Sequence, residues 1–192
     1  MNKITVGIAV ALAFVIVRGI AVARKRRKTY TRRNSLLRNI QDQVADARRN
    51  AALALGHIVR ANPALATPEL RDDLVPLLQD QAADARRNAV WALGPIVTAN
   101  PALATAELGD ALVPLLQDQV ADVRANAALA LGHIVRVNHD LATAELGDDL
   151  VPLLQDQVVD VRGCAAFALG HIVIANHDLA TAELRDDLVP LL

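Results

Sequence analysis

One 38-residue unit is written about four times along this chain, and that repetition limits its folds more than any other property. Gln-Asp-Gln stands at 41–43, 79–81, 117–119 and 155–157, and Ala-Leu-Gly at 54–56, 92–94, 130–132 and 168–170. Leu-Val-Pro-Leu-Leu stands at 74–78, 112–116, 150–154 and 188–192. A fixed period of roughly 20–50 residues marks a solenoid or array, because one such unit cannot bury its apolar face alone and must stack on neighbours. The 192 residues are 53% hydrophobic, which excludes a disordered chain. The single cysteine, Cys164, excludes a disulfide scaffold. Aromatics are limited to Phe14, Tyr30, Trp91 and Phe167. The apolar content is mainly Ala, Leu and Val, which points to helices packed through small contacts.

Each unit reads as two helices. The first starts after Thr67, Thr105, Thr143 or Thr181, with Glu69, Glu107, Glu145 or Glu183 in its first turn. Threonine caps the orphan amides there and glutamate suits the positive dipole end. Pro76, Pro114, Pro152 or Pro190 lies inside this helix and is expected to kink it. The second helix is expected to start after Asp46, Asp84, Asp122 or Asp160 and to run about fifteen residues, roughly four turns. It stops at Asn62, Asn100, Asn138 or Asn176, where asparagine is expected to take the left-handed conformation. No strand pattern appears.

The string Leu112-Val-Pro-Leu-Leu-Gln-Asp118, continuing through Val123-Arg124 to Ile134, resembles the HEAT-repeat family. It carries that family's proline in the first helix and its Asp and Arg six residues apart. The pair recurs as Asp42/Arg48, Asp80/Arg86, Asp118/Arg124 and Asp156/Arg162. The resemblance covers residues 36–192 and implies a right-handed α-solenoid in which these eight residues form a ladder between neighbouring repeats. Ala89-Val-Trp91-Ala-Leu-Gly-Pro-Ile96 is also similar to an armadillo repeat, whose Trp and Asn four residues apart line a peptide groove. Trp91 fits that pattern. The Asn position is Pro95 here, and His57, His133 or His171 in the other units, which departs from armadillo-style recognition of peptide backbone.

Charge divides the chain in two. Residues 1–41 hold ten Lys/Arg and no Asp/Glu, whereas residues 42–192 hold ten Arg against twenty-one Asp/Glu, a formal −11. Residues 4–23 are twenty positions, apolar except for Thr5 and Arg18, and as a helix they cover roughly 30 Å, enough to cross a bilayer. The run Arg24-Lys-Arg-Arg-Lys28 follows, with Arg32 and Arg33 beyond it. The positive-inside rule then places the C-terminal body on the cytoplasmic side of a single-pass anchor. A cleaved signal peptide, suggested by Ala21-Val-Ala23, and a peripheral helix are the competing readings. Five consecutive cations after the span resist export. The expected organisation is an anchor with its basic flank at 1–28 and a solenoid at 29–192. Its units span about 29–62, 67–100, 105–138 and 143–176, with a half unit and lone helix at 181–192. That last helix is expected to cap the stack or to meet a partner, unless the reading frame is truncated.

Neighbouring units are nearly identical, yet they differ along one stripe of the second helix. The changing positions are Arg87/Ala125/Gly163, Trp91/Leu129/Phe167, Pro95/His133/His171 and Thr98/Arg136/Ile174. Steps of 4, 4 and 3 trace one helix face. Core positions cannot drift without cavities or clashes, so the stripe is expected to face solvent on the concave side. It either drifts freely or reads a ligand. In the second case the partner is a protein or peptide, with Trp91 and Phe167 as anchors. Asn50, Asn88 and Asn126 would be hydrogen-bonding rungs, and Arg49, Leu53, His57, Arg87, Leu129, His133, Arg136 and His171 complete the wall, with Arg60 making it less acidic.

Chemistry finds little support in this pattern. His57, His133 and His171 stand in units separated by on the order of 10 Å, too far to share a zinc ion. Cys164 has no base of predictable geometry beside it, and no phosphate-cradling glycine loop is present. The mid-helix glycines 56, 94, 132 and 170 are expected to permit close helix contact. An acidic body argues against nucleic acid. The expectation is a membrane-anchored HEAT-repeat scaffold, non-catalytic, without metal or cofactor. The alternatives are a HEAT-like enzyme such as a phycobilin lyase, whose repeats are similar, and a structural assembly subunit.

Overall fold

The computed structural model describes residues 45–191, which lie within a compact unit spanning Asn39–Leu192. The α-helices in chain order are α1 (Ala45–Ala61), α2 (Pro68–Leu74), α3 (Ala83–Ala99), α4 (Ala106–Leu112), α5 (Ala121–Val137), α6 (Ala144–Leu150), α7 (Val159–Ala175) and α8 (Ala182–Leu188). Long and short helices alternate, and among the described residues there is no strand. The expected membrane span at 4–23 and the expected ladder residue Asp42 lie outside the described residues. Within them, no helix is long and apolar enough to cross a membrane.

Each short helix begins as its threonine dictates. Thr67 Oγ accepts from the Leu70 amide at 3.3 Å, and Thr105, Thr143 and Thr181 do the same for Leu108, Leu146 and Leu184. Proline then ends the α-helix rather than bending it. Pro76 cannot donate to the carbonyl four residues back and crowds it, so α2 stops at Leu74 and the chain tightens into a 3-10 turn, Val75–Gln79. The same change follows α4 and α6.

The long helices begin one residue before the expected aspartates. Asp84, Asp122 and Asp160 sit inside the first turn, where their charge meets the helix dipole. The turn before the helix belongs to Asp80, Asp118 and Asp156, whose Oδ1 accepts from the Ala82, Val120 and Val158 amides at 2.8–2.9 Å. The helix ends also correct the sequence reading. Asn62, Asn100, Asn138 and Asn176 are extended, with φ between −145° and −136°. No described residue has positive φ. Asparagine is needed there for its amide. Asn100, Asn138 and Asn176 Nδ2 donate to the carbonyls of Ala66, Ala104 and Ala142 in the preceding unit, at 3.0, 2.7 and 3.2 Å.

Equivalent residues fill the core at every unit. Leu55, Leu93, Leu131 and Leu169 are buried, as are Leu74, Leu112 and Leu150, and Leu78, Leu116 and Leu154. Each such leucine contributes roughly 2–3 kcal/mol relative to exposure. The column ends at α8, which has no buried residue. Consecutive long helices pack directly on each other, while each short helix meets mainly the long helix of its own unit and the neighbouring 3-10 turns. Helices α1, α3, α5 and α7 thus form one continuous layer, the inner wall of the sequence-based expectation.

Candidate functional site

The repeat junctions carry two ladders. In the first, Arg48 Nε and Nη2 meet Asp80 of the next unit at 2.6 and 3.0 Å. Arg86 meets Asp118 at 2.7 and 2.9 Å, and Arg124 meets Asp156 at 2.8 and 3.0 Å. Each is a planar, bidentate pair. Nη1 of Arg86, Arg124 and Arg162 also donates to the carbonyl of the aspartate in its own unit, at 2.7–2.9 Å. One arginine therefore ties two units. The bond to Arg48 holds the Asp80 carboxyl below its usual range against the opposing effect of burial. Burial pushes Asp118 up, but the bonds from Arg86 and the Val120 amide and the nearby arginine charges outweigh it and hold that carboxyl low. The same bond raises Arg86. A cleft of about 240 Å³ lined by Leu116, Arg124, Pro152 and Asp156 belongs to this ladder.

A second, exposed ladder runs along the inner wall. Arg49 bridges Asp46 and Asp84, and Arg87 bridges Asp84 and Asp122. Among the expected rungs, Asn50 is exposed, whereas Asn88 is only 6% exposed. It turns into the junction and donates to the Arg49 carbonyl at 3.1 Å. Its amide is therefore committed to holding α3 against α1 and does not serve as an open rung. Asn126 bonds within its own helix, to the Asp122 carbonyl at 2.7 Å. Ala125, in the changing stripe, is buried. These positions lie where the wall bends into the junction, an angle that a helical wheel for one isolated helix does not contain.

The aromatic residues of the stripe sit in notches made by glycine. A Cβ on Gly56 would fall 2.5 Å from Trp91 Cζ3, and one on Gly132 would fall 2.9 Å from Phe167. Trp91 lies over that notch with its ring centroid 4.8 Å from His57 and the Arg60 guanidinium 4.6 Å from its centre. Phe167 packs between His133 and His171, at 5.5 and 4.6 Å. Trp91 is half-buried, while Phe167 and Leu53 remain partly open, at 37% and 36%. Burial, followed by the charges of Arg136, His171 and Arg60, holds His133 below the usual histidine range. His171 is lowered by burial, then by Arg136 and His139. Cys164 is raised, by burial first and Asp160 second, which disfavours its thiolate. Among the described residues, no group of three or more His, Cys, Asp or Glu could hold a metal ion.

The second unit lacks the histidine and arginine of its neighbours and carries Pro95 and Thr98 instead. These small residues form the floor of a trough of about 580 Å³ over the end of α3. Arg60 stands on the side of the first unit, and His133 and Arg136 on the side of the third. Gly94, Ala99 and Val59 complete its apolar base. In the sequence, positions 95 and 98 stand out as members of the changing stripe and do not mark a trough. The signal that could have located the trough is the direction of change, from large and cationic to small, in one unit between two that keep the pair.

A family model for HEAT repeats matches residues 33–132 and 72–170. No curated protein matches the chain. Two crystal structures of engineered proteins from a structural genomics consortium are each 23% identical to it with a TM-score of 0.67. The alignments cover 77% of this chain and 68% and 69% of theirs. A third engineered protein is 26% identical with a TM-score of 0.62, over 71% of this chain and 36% of its own.

Proposed function

This chain belongs to the HEAT-repeat family, and we propose that it works as a non-catalytic scaffold that binds a protein or peptide partner along its inner wall. HEAT repeats generally mediate protein–protein interaction, which supports the class of activity. The observation that carries the reading is the trough over α3. It is concave, has an apolar floor and is walled by side chains from three successive units, the setting in which a bound side chain is desolvated and held on several sides. Trp91 and Phe167 are half-open rings on the same wall. Trp91 is held in advance over Gly56 by His57 and Arg60, so that its contact with a partner costs little side-chain entropy.

The membrane part of the proposal rests on residues 4–23 and the basic run 24–28. A retained anchor there would hold the solenoid on the cytoplasmic side. Thr98→Trp tests the scaffold reading, because it fills the trough from an exposed position without touching either ladder. Crosslinking pull-downs from membranes should recover less partner with this variant than with wild type, at unchanged helicity. Equal recovery would remove the inner wall from the account.

A further inference from the structure

We infer that the trough over α3 accepts an acidic peptide segment, with a carboxylate seated between Arg60 and Arg136 and an aliphatic side chain on the floor at Pro95. This deepens the scaffold reading and rests on it. The described body holds ten arginines and twenty carboxylates, so partners for cations are abundant. Seven arginines use them: Arg48, Arg86 and Arg124 in the ladder, Arg49 and Arg87 along the wall, and Arg71 and Arg185 beside Asp72 and Asp186. Arg60, Arg136 and Arg162 have no carboxylate partner among the described residues. Arg162 spends its bonds on the backbone carbonyls of Asp156 and Gln157. The other two line the same trough, and no residue lining it is acidic. The sign of charge thus reverses locally on the acidic body of residues 42–192.

Both guanidinium groups are already placed. Arg60 lies over the Trp91 ring, and Arg136 Nη2 contacts Thr98 Oγ and His133 Nδ1, each at 3.3 Å. Neither arrangement uses up the five donors of an arginine, and holding the heads in advance lowers the entropic cost of binding. The floor offers no charge and, at Pro95, no backbone N–H. A carboxylate flanked by an aliphatic side chain matches both parts. A nucleic acid backbone would bring many phosphates against the surrounding carboxylates, which disfavours it.

Trp91 is the one tryptophan in the chain, and its contact with Arg60, a residue of the trough wall, makes its emission a reporter for binding at that guanidinium. The full chain in zwitterionic detergent is titrated with an acetylated (Glu-Leu)3 peptide and with (Gln-Leu)3. The expected result is a saturable change in Trp91 emission, with affinity about tenfold higher for the Glu peptide, as one good charge contact implies. Arg136→Gln, which leaves the contact between Arg60 and Trp91 in place, should abolish that preference, and Arg60→Gln should abolish it when read by calorimetry. Equal affinity for the two peptides, or a preference that survives Arg136→Gln, overturns the inference while leaving a neutral binding groove intact. Inorganic phosphate that displaces the Glu peptide at equal concentration would also overturn it, by showing a free-anion site. No response to either peptide up to ~1 mM overturns it too, and the Thr98→Trp pull-down then decides separately whether the wall binds anything.

Discussion

Replacing Gly132 and Gly170 with alanine, one at a time, should stabilise the chain at Gly170 and fail to do so at Gly132. Both glycines lie mid-helix at the same position of the repeat, so intrinsic propensity favours alanine at each by roughly 1 kcal/mol. At Gly170 the new methyl meets nothing within 4 Å, and the variant should keep most of that gain. At Gly132 the methyl falls 2.9 Å from two Phe167 ring atoms and 3.0 Å from the Ala168 Cα. The ring is partly open and can swing away, but the backbone of α7 cannot. Overpacking of this kind costs about 1–3 kcal/mol, so Gly132→Ala should be neutral to destabilising by ~2 kcal/mol. The two variants should therefore differ by about 1–3 kcal/mol in urea denaturation of the full chain followed by circular dichroism. Adding Phe167→Ala to Gly132→Ala should recover only part of the loss, since the clash with Ala168 remains. If Gly132→Ala proved as stable as Gly170→Ala, α5 and α7 would not approach as closely as the inner wall requires.

The two charge ladders should differ in worth. Asp118 is 6% exposed beneath Arg86 and also caps the Val120 amide, so Asp118→Ala should cost about 3 kcal/mol in the same denaturation assay. Asp122 is 65% exposed beside Arg87, and Asp122→Ala should cost less than about 1 kcal/mol. Acid should act in two windows. His133 and His171 are lowered in the folded chain, so the unfolded chain binds more protons and stability declines as pH falls below the unfolded value near ~6.5. Asp80 and Asp118 are likewise lowered, and their contribution is lost below roughly pH 4 as they protonate. His133→Gln with His171→Gln should remove the upper window from a urea midpoint series and leave the lower one.

The fold was legible because a strict 38-residue step leaves little choice. Apolar columns such as Leu55, Leu93, Leu131 and Leu169 must coincide when units stack, and each Thr and Pro marks the boundaries of a short helix by local chemistry. Helix capping is less legible. Asparagine at a helix end has a local explanation, and the tertiary one, an amide reaching the previous unit's turn, appears only when two units are placed side by side. The burial of Asn88 is hidden from the sequence for the same reason. Its angle on the wheel points outward, but the neighbouring helix stands close enough to cover it. The aromatics needed two positions read together, because Trp91 and Phe167 are intelligible only with Gly56 and Gly132 in the unit before. Arg60 and Arg136 are visible in the sequence as inner-wall cations, but that neither meets a carboxylate among the described residues follows only from the packed structure.

A photoreactive residue placed at Thr98, on the trough floor, and separately at Gln117, exposed at the end of the 3-10 turn of the third unit, tests the account most directly. The account expects a partner to be trapped in membranes from Thr98 and not from Gln117, with the Arg136→Gln background lowering the yield at Thr98. Trapping from Gln117 alone, or equally from both, would place recognition elsewhere on the solenoid and contradict it.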